Sequence, residues 1–211
     1  MISKRRLLRR SRLCVILDDS VLPRSDLERT AKEVISGGCD MLQLRLKNAS
    51  TKDFIDIARK IKRLAARRSI PVLVNDKVEV ALAVDADGLH IGQGDISIRL
   101  ARKMLGRHKI IGVSANNFKE ASAAAAAGAD YLGVGPVFNT PIKCSRKRVS
   151  DYAIRRAAKL SCPVFFIGGI AEYNVNMLIE KGAERIAAIR AICSSKDPFA
   201  ATRQMKEAFL I

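Results

Sequence analysis

Gln43, Arg45 and Lys47 follow one another at a spacing of two in the run Gln43-Leu44-Arg45-Leu46-Lys47. In an extended segment that period sets all three side chains on one side. Guanidinium forks and ammonium groups both pair with phosphate oxygens, so two cations beside an amide would suit a diphosphate. A solvated strand end carries the same pattern, and spacing alone does not separate the two. The acidic counterpart is Asp76, after Val74-Asn75, and Asp95, after Gly92-Gln93-Gly94. Hard Mg2+ takes one or two carboxylates and fills the rest of its shell with phosphate oxygens and water. Each aspartate alone also reads as a helix cap, Asp95 ahead of Ile96-Ser97-Ile98 and Asp76 ahead of Lys77. Beside a diphosphate-type cluster, the pair reads better as a Mg2+ site.

These residues need a scaffold that brings them together, and the chain repeats one unit eight times: a short β-rich run, a few polar or glycine residues, then a helix-period segment. The strand signals are Leu13–Leu17, Met41–Leu44, Pro71–Val74, Gly88–Ile91, Lys109–Val113, Tyr131–Val134, Val164–Ile167 and Ile186–Ile189. Amphipathic stretches such as Asp26–Ser36, Thr51–Arg67 and Asp197–Phe209 lie between or after them, and the alanine-rich stretch Ala121–Ala127 reads as a packed helix ending at Gly128. Strands alternating with helices imply βαβ units and a parallel sheet. Right-handed crossovers return the chain to that sheet each time. Eight units within 211 residues predict an α/β chain folded as a single closed (β/α)8 TIM barrel, residues 13–211, preceded by a basic tail or first helix over residues 1–12.

In such barrels the active site lies at the C-terminal ends of the strands. Nearly every strand signal here delivers a functional group to that mouth: Asp18-Asp19, the Gln43 to Lys47 run, Asn75-Asp76, His90 to Asp95, Ser114, and Ile189-Arg190. Gly168-Gly169 and the turn at Ile189-Arg190 follow strands seven and eight, where backbone N–H groups of these barrels often meet a phosphate, although a glycine pair is otherwise only a tight turn. The loop Gly135–Lys143 is long for a βα connection and holds Thr140 and Lys143; it reads as a phosphate lid or as an ordinary surface loop. His90 reads as a general base or, more simply, as a hydrogen-bonded core histidine, and His108 as surface. No nucleophile–base order stands out, so covalent catalysis has no candidate.

Composition bounds the alternatives. The chain is 48% hydrophobic with a net charge of +17. Residues 1–12 hold six basic residues and no acid, and residues 143–159 hold seven against Asp151 alone, so 12 of the 17 excess charges sit in two short segments. That distribution fits weak, sequence-blind polyanion affinity better than specific nucleic-acid recognition, for which no motif is visible. No apolar run approaches the roughly 18 residues of a membrane span, and Met1–Arg12 has too little apolar core for a secretory signal. Five cysteines, odd in number and without a C-x-x-C pair, argue against a disulfide framework or a zinc site and fit a reducing cytoplasm. A homo-oligomer is compatible with all of this.

Several of these segments together resemble the thiamine phosphate synthase family, in order over about residues 13–209. They are Gln43-Leu-Arg-Leu-Lys47, Val74-Asn75-Asp76, Ala86-Asp87-Gly88-Leu89-His90-Ile91-Gly92-Gln93-Gly94-Asp95, Ile111-Gly112-Val113-Ser114, Ala129-Asp130-Tyr131-Leu132-Gly133-Val134-Gly135-Pro136-Val137-Phe138 and Ile167-Gly168-Gly169-Ile170. The resemblance implies an enzyme that joins hydroxymethylpyrimidine diphosphate to a thiazole phosphate and releases pyrophosphate. By position it implies that Gln43, Arg45, Lys47, Asn75, Ser114 and Lys143 hold the pyrimidine diphosphate, with Arg45, Lys47, Ser114 and Lys143 closest to the chemistry. Asp76 and Asp95 would bind Mg2+, and Thr140, Gly169 and the backbone at Ile189-Arg190 would hold the thiazole phosphate. Two positions depart from the family pattern: Ile142, where the loop usually has a second threonine, and Arg190, where a serine is usual. Both lie on the thiazole side. Three other readings remain in view: a thiazole tautomerase-like enzyme, a member of the family that has lost the synthase activity, and a basic polyanion-binding protein. The tautomerases carry a histidine just beyond the serine of strand five, which Ser114-Ala115-Asn116-Asn117 lacks.

Overall fold

A computed structural model describes residues 4–141 and 147–209, with the backbone alone at Lys4. Eight parallel strands close in chain order: β1 (Leu13–Asp18), β2 (Met41–Arg45), β3 (Val72–Asn75), β4 (Gly88–Ile91), β5 (Ile110–Ala115), β6 (Tyr131–Val134), β7 (Val164–Ile167) and β8 (Ile186–Ala188), which pairs back onto β1. The expected (β/α)8 barrel is the observed one. No helix among the described residues is long and apolar enough to cross a membrane.

Alternation along each strand sorts the side chains. One set, including Leu42, Leu44, Val74, Leu89, Val113 and Leu132, faces the surrounding helices and is fully or almost fully buried. The other set faces the barrel axis, and its lower layers are apolar: Cys14, Ile16, Met41, Leu73, Ile110, Tyr131, Phe165 and Ala187 form a second cluster. Helix α1 (Lys4–Arg10) inserts Leu8 into this cluster at 2% exposure. Helix α1 is thus a plug across the barrel floor, and removing it would uncover the interior core.

Helices α2 (Leu27–Ser36), α3 (Thr51–Ala66), α4 (Val78–Ala83), α5 (Ile98–Leu105), α6 (Phe118–Ala126), α7 (Asp151–Ala158), α8 (Glu172–Ile179), α9 (Arg190–Cys193) and α10 (Pro198–Glu207) surround the barrel. Ser50, Ser97, Asn117, Ser150 and Asp197 each cap a helix by accepting a first-turn N–H. The strand starts are tied from below by carboxylates. Asp40, Asp87 and Asp130, each just before an even-numbered strand, accept the N–H of Leu13, Val72 and Ile111 on the strand before, at 2.8–2.9 Å. Ahead of β8 the corresponding acid is Glu184, whose longer side chain turns to Arg12 and Arg185 instead.

Strands β3 and β5 run further toward the mouth than their apolar signals, because Asn75 and Ser114 continue the ladder as inward polar residues. Strand β8 is one residue shorter than expected, since Ile189 (φ −121°, ψ −88°) leaves the extended region.

Candidate active site

Toward the mouth the inward-facing layer changes from apolar to polar, and a small cavity of about 50 Å3 marks the change. Gln43, Arg45, Asn75, His90 and Ser114 line it, above Tyr131 and Phe165. Two glycines make the space. A Cβ on Gly112 would lie 2.1 Å from the Tyr131 ring, and one on Gly133 would lie 3.1 Å from His90 Cε1. Gln43, only 3% exposed, donates Nε2–H to the Tyr131 hydroxyl at 3.2 Å. That oxygen lies 2.8 Å from His90 Nδ1, and His90 Nε2 lies 2.9 Å from Ser114 Oγ. Burial above all holds the Tyr131 phenol protonated, far above its ordinary range. With Tyr131 donating to Nδ1, Nε2–H donates to Ser114, whose own hydroxyl proton is left to face a ligand. His90 is the hydrogen-bonded core histidine of the simpler reading, and it orients Ser114.

Gln43, Arg45 and Lys47 climb from the interior to the rim. Arg45 is mostly covered (side chain 16% exposed) and donates to Asp18 Oδ2 at 2.5 Å; Asp18 is fully buried and also accepts from Ser20 N and Oγ. Lys47 is exposed, and its backbone N–H is held by Asp19. Sequence reasoning placed Asp18 and Asp19 at the mouth without assigning them a task. They anchor the cationic run, which pairing across β1 and β2 would have suggested, since Asp18 stands opposite Arg45 in register.

Asp76 and Asp95 meet across the tops of β3 and β4, near enough for each carboxyl group to act on the other. Neither is a helix cap. Ser97 caps α5, and Lys77 occupies the cap position of α4. Asp95 Oδ2 accepts Gly92 N–H at 2.7 Å, while Asp76 adopts φ +62°, a conformation uncommon for a non-glycine residue. Burial, and next the neighbouring Asp95, push Asp76 up to about 6; Lys47 and Arg45 are near enough to pull it partly back. Among the described residues no third His, Cys, Asp or Glu joins them.

The other half of the mouth is a cleft of about 310 Å3 between the loops after β6, β7 and β8. Asn139, Thr140, Gly169, Ile170, Ile189 and Arg190 are among its walls, so four predicted acceptor-side residues share one cavity. Glycine is required at 168 and 169: φ is +103° and +67°, and a Cβ would lie 2.6 Å from Pro136 Cα or 2.5 Å from Asn139 O. The amides of Gly169 and Ile170 donate to nothing else among the described residues. Arg190 is exposed, and its guanidinium has no partner among them. Lys143 and Ile142 lie outside the described residues. Sequence reasoning missed Tyr173, an exposed wall of this cleft, and Asn174 behind it. The interior pocket and the cleft share Ile167, Ala187 and Ile189, so the two halves adjoin.

Residues 13–192 match the family model for thiamine monophosphate synthase. The chain belongs to that family. It is 42% identical over 186 residues to the thiamine-phosphate synthase of Clostridium acetobutylicum, covering 88% of each chain. Against the thiamine-phosphate synthase of Shouchella clausii it is 43% identical over 196 residues, 92% of this chain and 94% of the relative. Among solved structures, thiamine phosphate pyrophosphorylase from Pyrococcus furiosus superimposes with a TM-score of 0.87 at 32% identity, covering 98% of this chain and 97% of the other. Membership makes this thiamine monophosphate synthase family barrel a transferase.

Proposed function

We propose that this barrel joins hydroxymethylpyrimidine diphosphate to a thiazole phosphate, giving thiamine phosphate and pyrophosphate, with one substrate on each half of the mouth. The observation that carries the reading is the adjacency of a polar interior pocket, rimmed by cations and a carboxylate pair, to a glycine-walled cleft with free amides. Gln43, Asn75 and Ser114 would take the pyrimidine, and Arg45, Lys47 and Lys143 its diphosphate. Thr140, the amides at Gly169 and Ile170, and Arg190 would take the acceptor's phosphate, with Ile189 as the wall between the substrates.

Asp76 and Asp95 fit Mg2+. Two carboxyl groups this near repel when both are ionised, a divalent cation relieves that repulsion, and one or two carboxylates are the usual protein share of a Mg2+ shell. When bound there, the metal would supply positive charge to the pyrophosphate oxygens. The chain's own work is electrostatic and positional. The bond between the pyrimidine methylene carbon and the diphosphate oxygen breaks, its electron pair leaving with pyrophosphate. Arg45 and Lys47 hold the charge that grows there, and the Asp18 contact fixes the guanidinium beforehand. The thiazole nitrogen lone pair then forms the new C–N bond across the short step from cleft to pocket. His90 and Tyr131 keep the Ser114 hydroxyl aimed throughout.

A cytoplasmic setting belongs to the same proposal, supported by the buried free thiols of Cys14, Cys39 and Cys193. The test is direct: purified protein, both substrates and Mg2+, with thiamine phosphate followed by fluorescence after oxidation. Product at catalytic enzyme concentration is expected. None at enzyme concentrations near those of the substrates would reject the activity while leaving the fold intact.

A further inference from the structure

We infer that Asn174, which touches neither substrate site, is the positioning residue that aims the backbone amides of the Gly168–Ala171 turn into the acceptor cleft. The inference rests on the proposed placement of the acceptor's phosphate.

Asn174 is 6% exposed, in the first turn of α8, and both ends of its amide are engaged. Its Nδ2–H donates to Gly169 O at 2.9 Å, and its Oδ1 accepts Ala171 N–H at 2.9 Å. Gly169, Ile170 and Ala171 line the cleft and Asn174 does not, so it grips the turn from behind. A trans peptide unit is planar, with its C=O and N–H pointing in opposite directions. Fixing Gly169 C=O toward Asn174 therefore turns the N–H of Ile170 the other way, toward the cleft. The preceding peptide is held in the same manner, because Gly168 C=O accepts Phe138 N–H at 2.9 Å, and this sets the direction of Gly169 N–H. Two adjacent glycines are the part of the chain where a peptide unit rotates with least steric resistance. Without an anchor on the Gly169 carbonyl the amide would sample several directions, and the anion would have to order it on binding.

A second task of Asn174 is to hold the N-terminus of α8, through the Ala171 contact. The two tasks are separable. Asn174→Ala removes both bonds and introduces no charge. Asn174→Asp keeps the acceptor for Ala171 N–H and loses the donor to Gly169 O. If Asn174 aims the amides, both variants raise KM for thiazole phosphate about tenfold, the worth of one charge-assisted hydrogen bond. In both, kcat and KM for the pyrimidine diphosphate stay within about twofold of wild type, and Asn174→Asp keeps the wild-type Tm. A rise in KM with Asn174→Ala alone, together with a lower Tm, would assign the residue to helix capping and overturn the inference. A rise with Asn174→Asp alone would assign the effect to the new charge and overturn it as well, as would wild-type KM in both. Wild-type protein that makes no thiamine phosphate at all is a different outcome, and it refutes the proposed activity.

Discussion

Around β1 to β5 the mouth of the barrel is furnished by side chains, and between the loops after β6, β7 and β8 the backbone takes a larger share. On the first side, Gln43, His90 and Ser114 hold one another through Tyr131, Arg45 is moored to Asp18, and Asp76 faces Asp95. On the second, Gly168, Gly169 and the free amides of their turn stand beside Thr140 and Arg190, and Asn174 bonds the chain from behind. The division suits the two tasks. Charge that grows during the reaction is met best by cations fixed in advance. A phosphate that keeps its charge throughout needs only steady recognition, which backbone N–H groups supply. Substitutions on the first side should therefore cost turnover, and those on the second side should cost affinity.

The sharpest way to break that contrast is the carboxylate pair. Asp76→Ala with Asp95→Ala should lower kcat/KM by at least about a thousandfold, and EDTA should do the same to wild type. Retention of more than a tenth of the activity would remove the metal from the account. Next in size is Arg45→Ala. It should lower kcat about a hundredfold, as removal of one preorganised donor does. It should also cost about 3–5 kcal/mol in urea unfolding, because Asp18 is fully buried and would lose its ion-pair partner. A variant with normal stability would show that Ser20 alone satisfies Asp18.

The same contrast explains what the sequence made legible. The barrel could be read because each strand carries its own apolar run, and the eight repeats leave few other closures. Gln43, Arg45, Asp76 and Asp95 could be read because their chemistry is in their side chains. Asp18 was visible as a mouth residue, but its bond to Arg45 depends on register between β1 and β2, which one chain segment does not state. Tyr131 looked like any strand aromatic; only Gly112, on the neighbouring strand, shows that its ring turns inward. Asn174 was the least legible, since its role is to orient peptide units that carry no side-chain signal.

On the backbone side the expected effects are smaller. Gly169→Ala forces a Cβ onto φ +67° and within 2.5 Å of Asn139 O. Strain of this kind costs on the order of 1–3 kcal/mol, shared between stability and the geometry of the turn. KM for thiazole phosphate should rise about tenfold, with kcat at saturation and KM for the pyrimidine diphosphate nearly unchanged. A fall in kcat alone would place this turn with the reacting groups and erase the distinction between the halves.

The smallest effect is one of pH, and it separates the carboxylate pair from everything else at the mouth. In the metal-free protein burial, and next Asp95, push Asp76 up to about 6 from its ordinary value of 3.8, which the unfolded chain restores. The folded state therefore binds more protons between those values. By linkage, the metal-free protein loses stability as pH rises through that window and loses no more above it. Asp76→Asn abolishes the titration. In EDTA, its Tm relative to wild type should climb between about pH 4 and 6 and then level off. With Mg2+ present the order reverses, because the metal needs the ionised carboxylate that the variant lacks. Wild-type Mg2+ affinity should in turn weaken about tenfold per pH unit below 6, as each bound ion displaces a proton. A Tm difference that stays flat from pH 4 to 8 would mean that the two carboxyl groups do not share a proton, and the case for a cation between them would lose its physical basis.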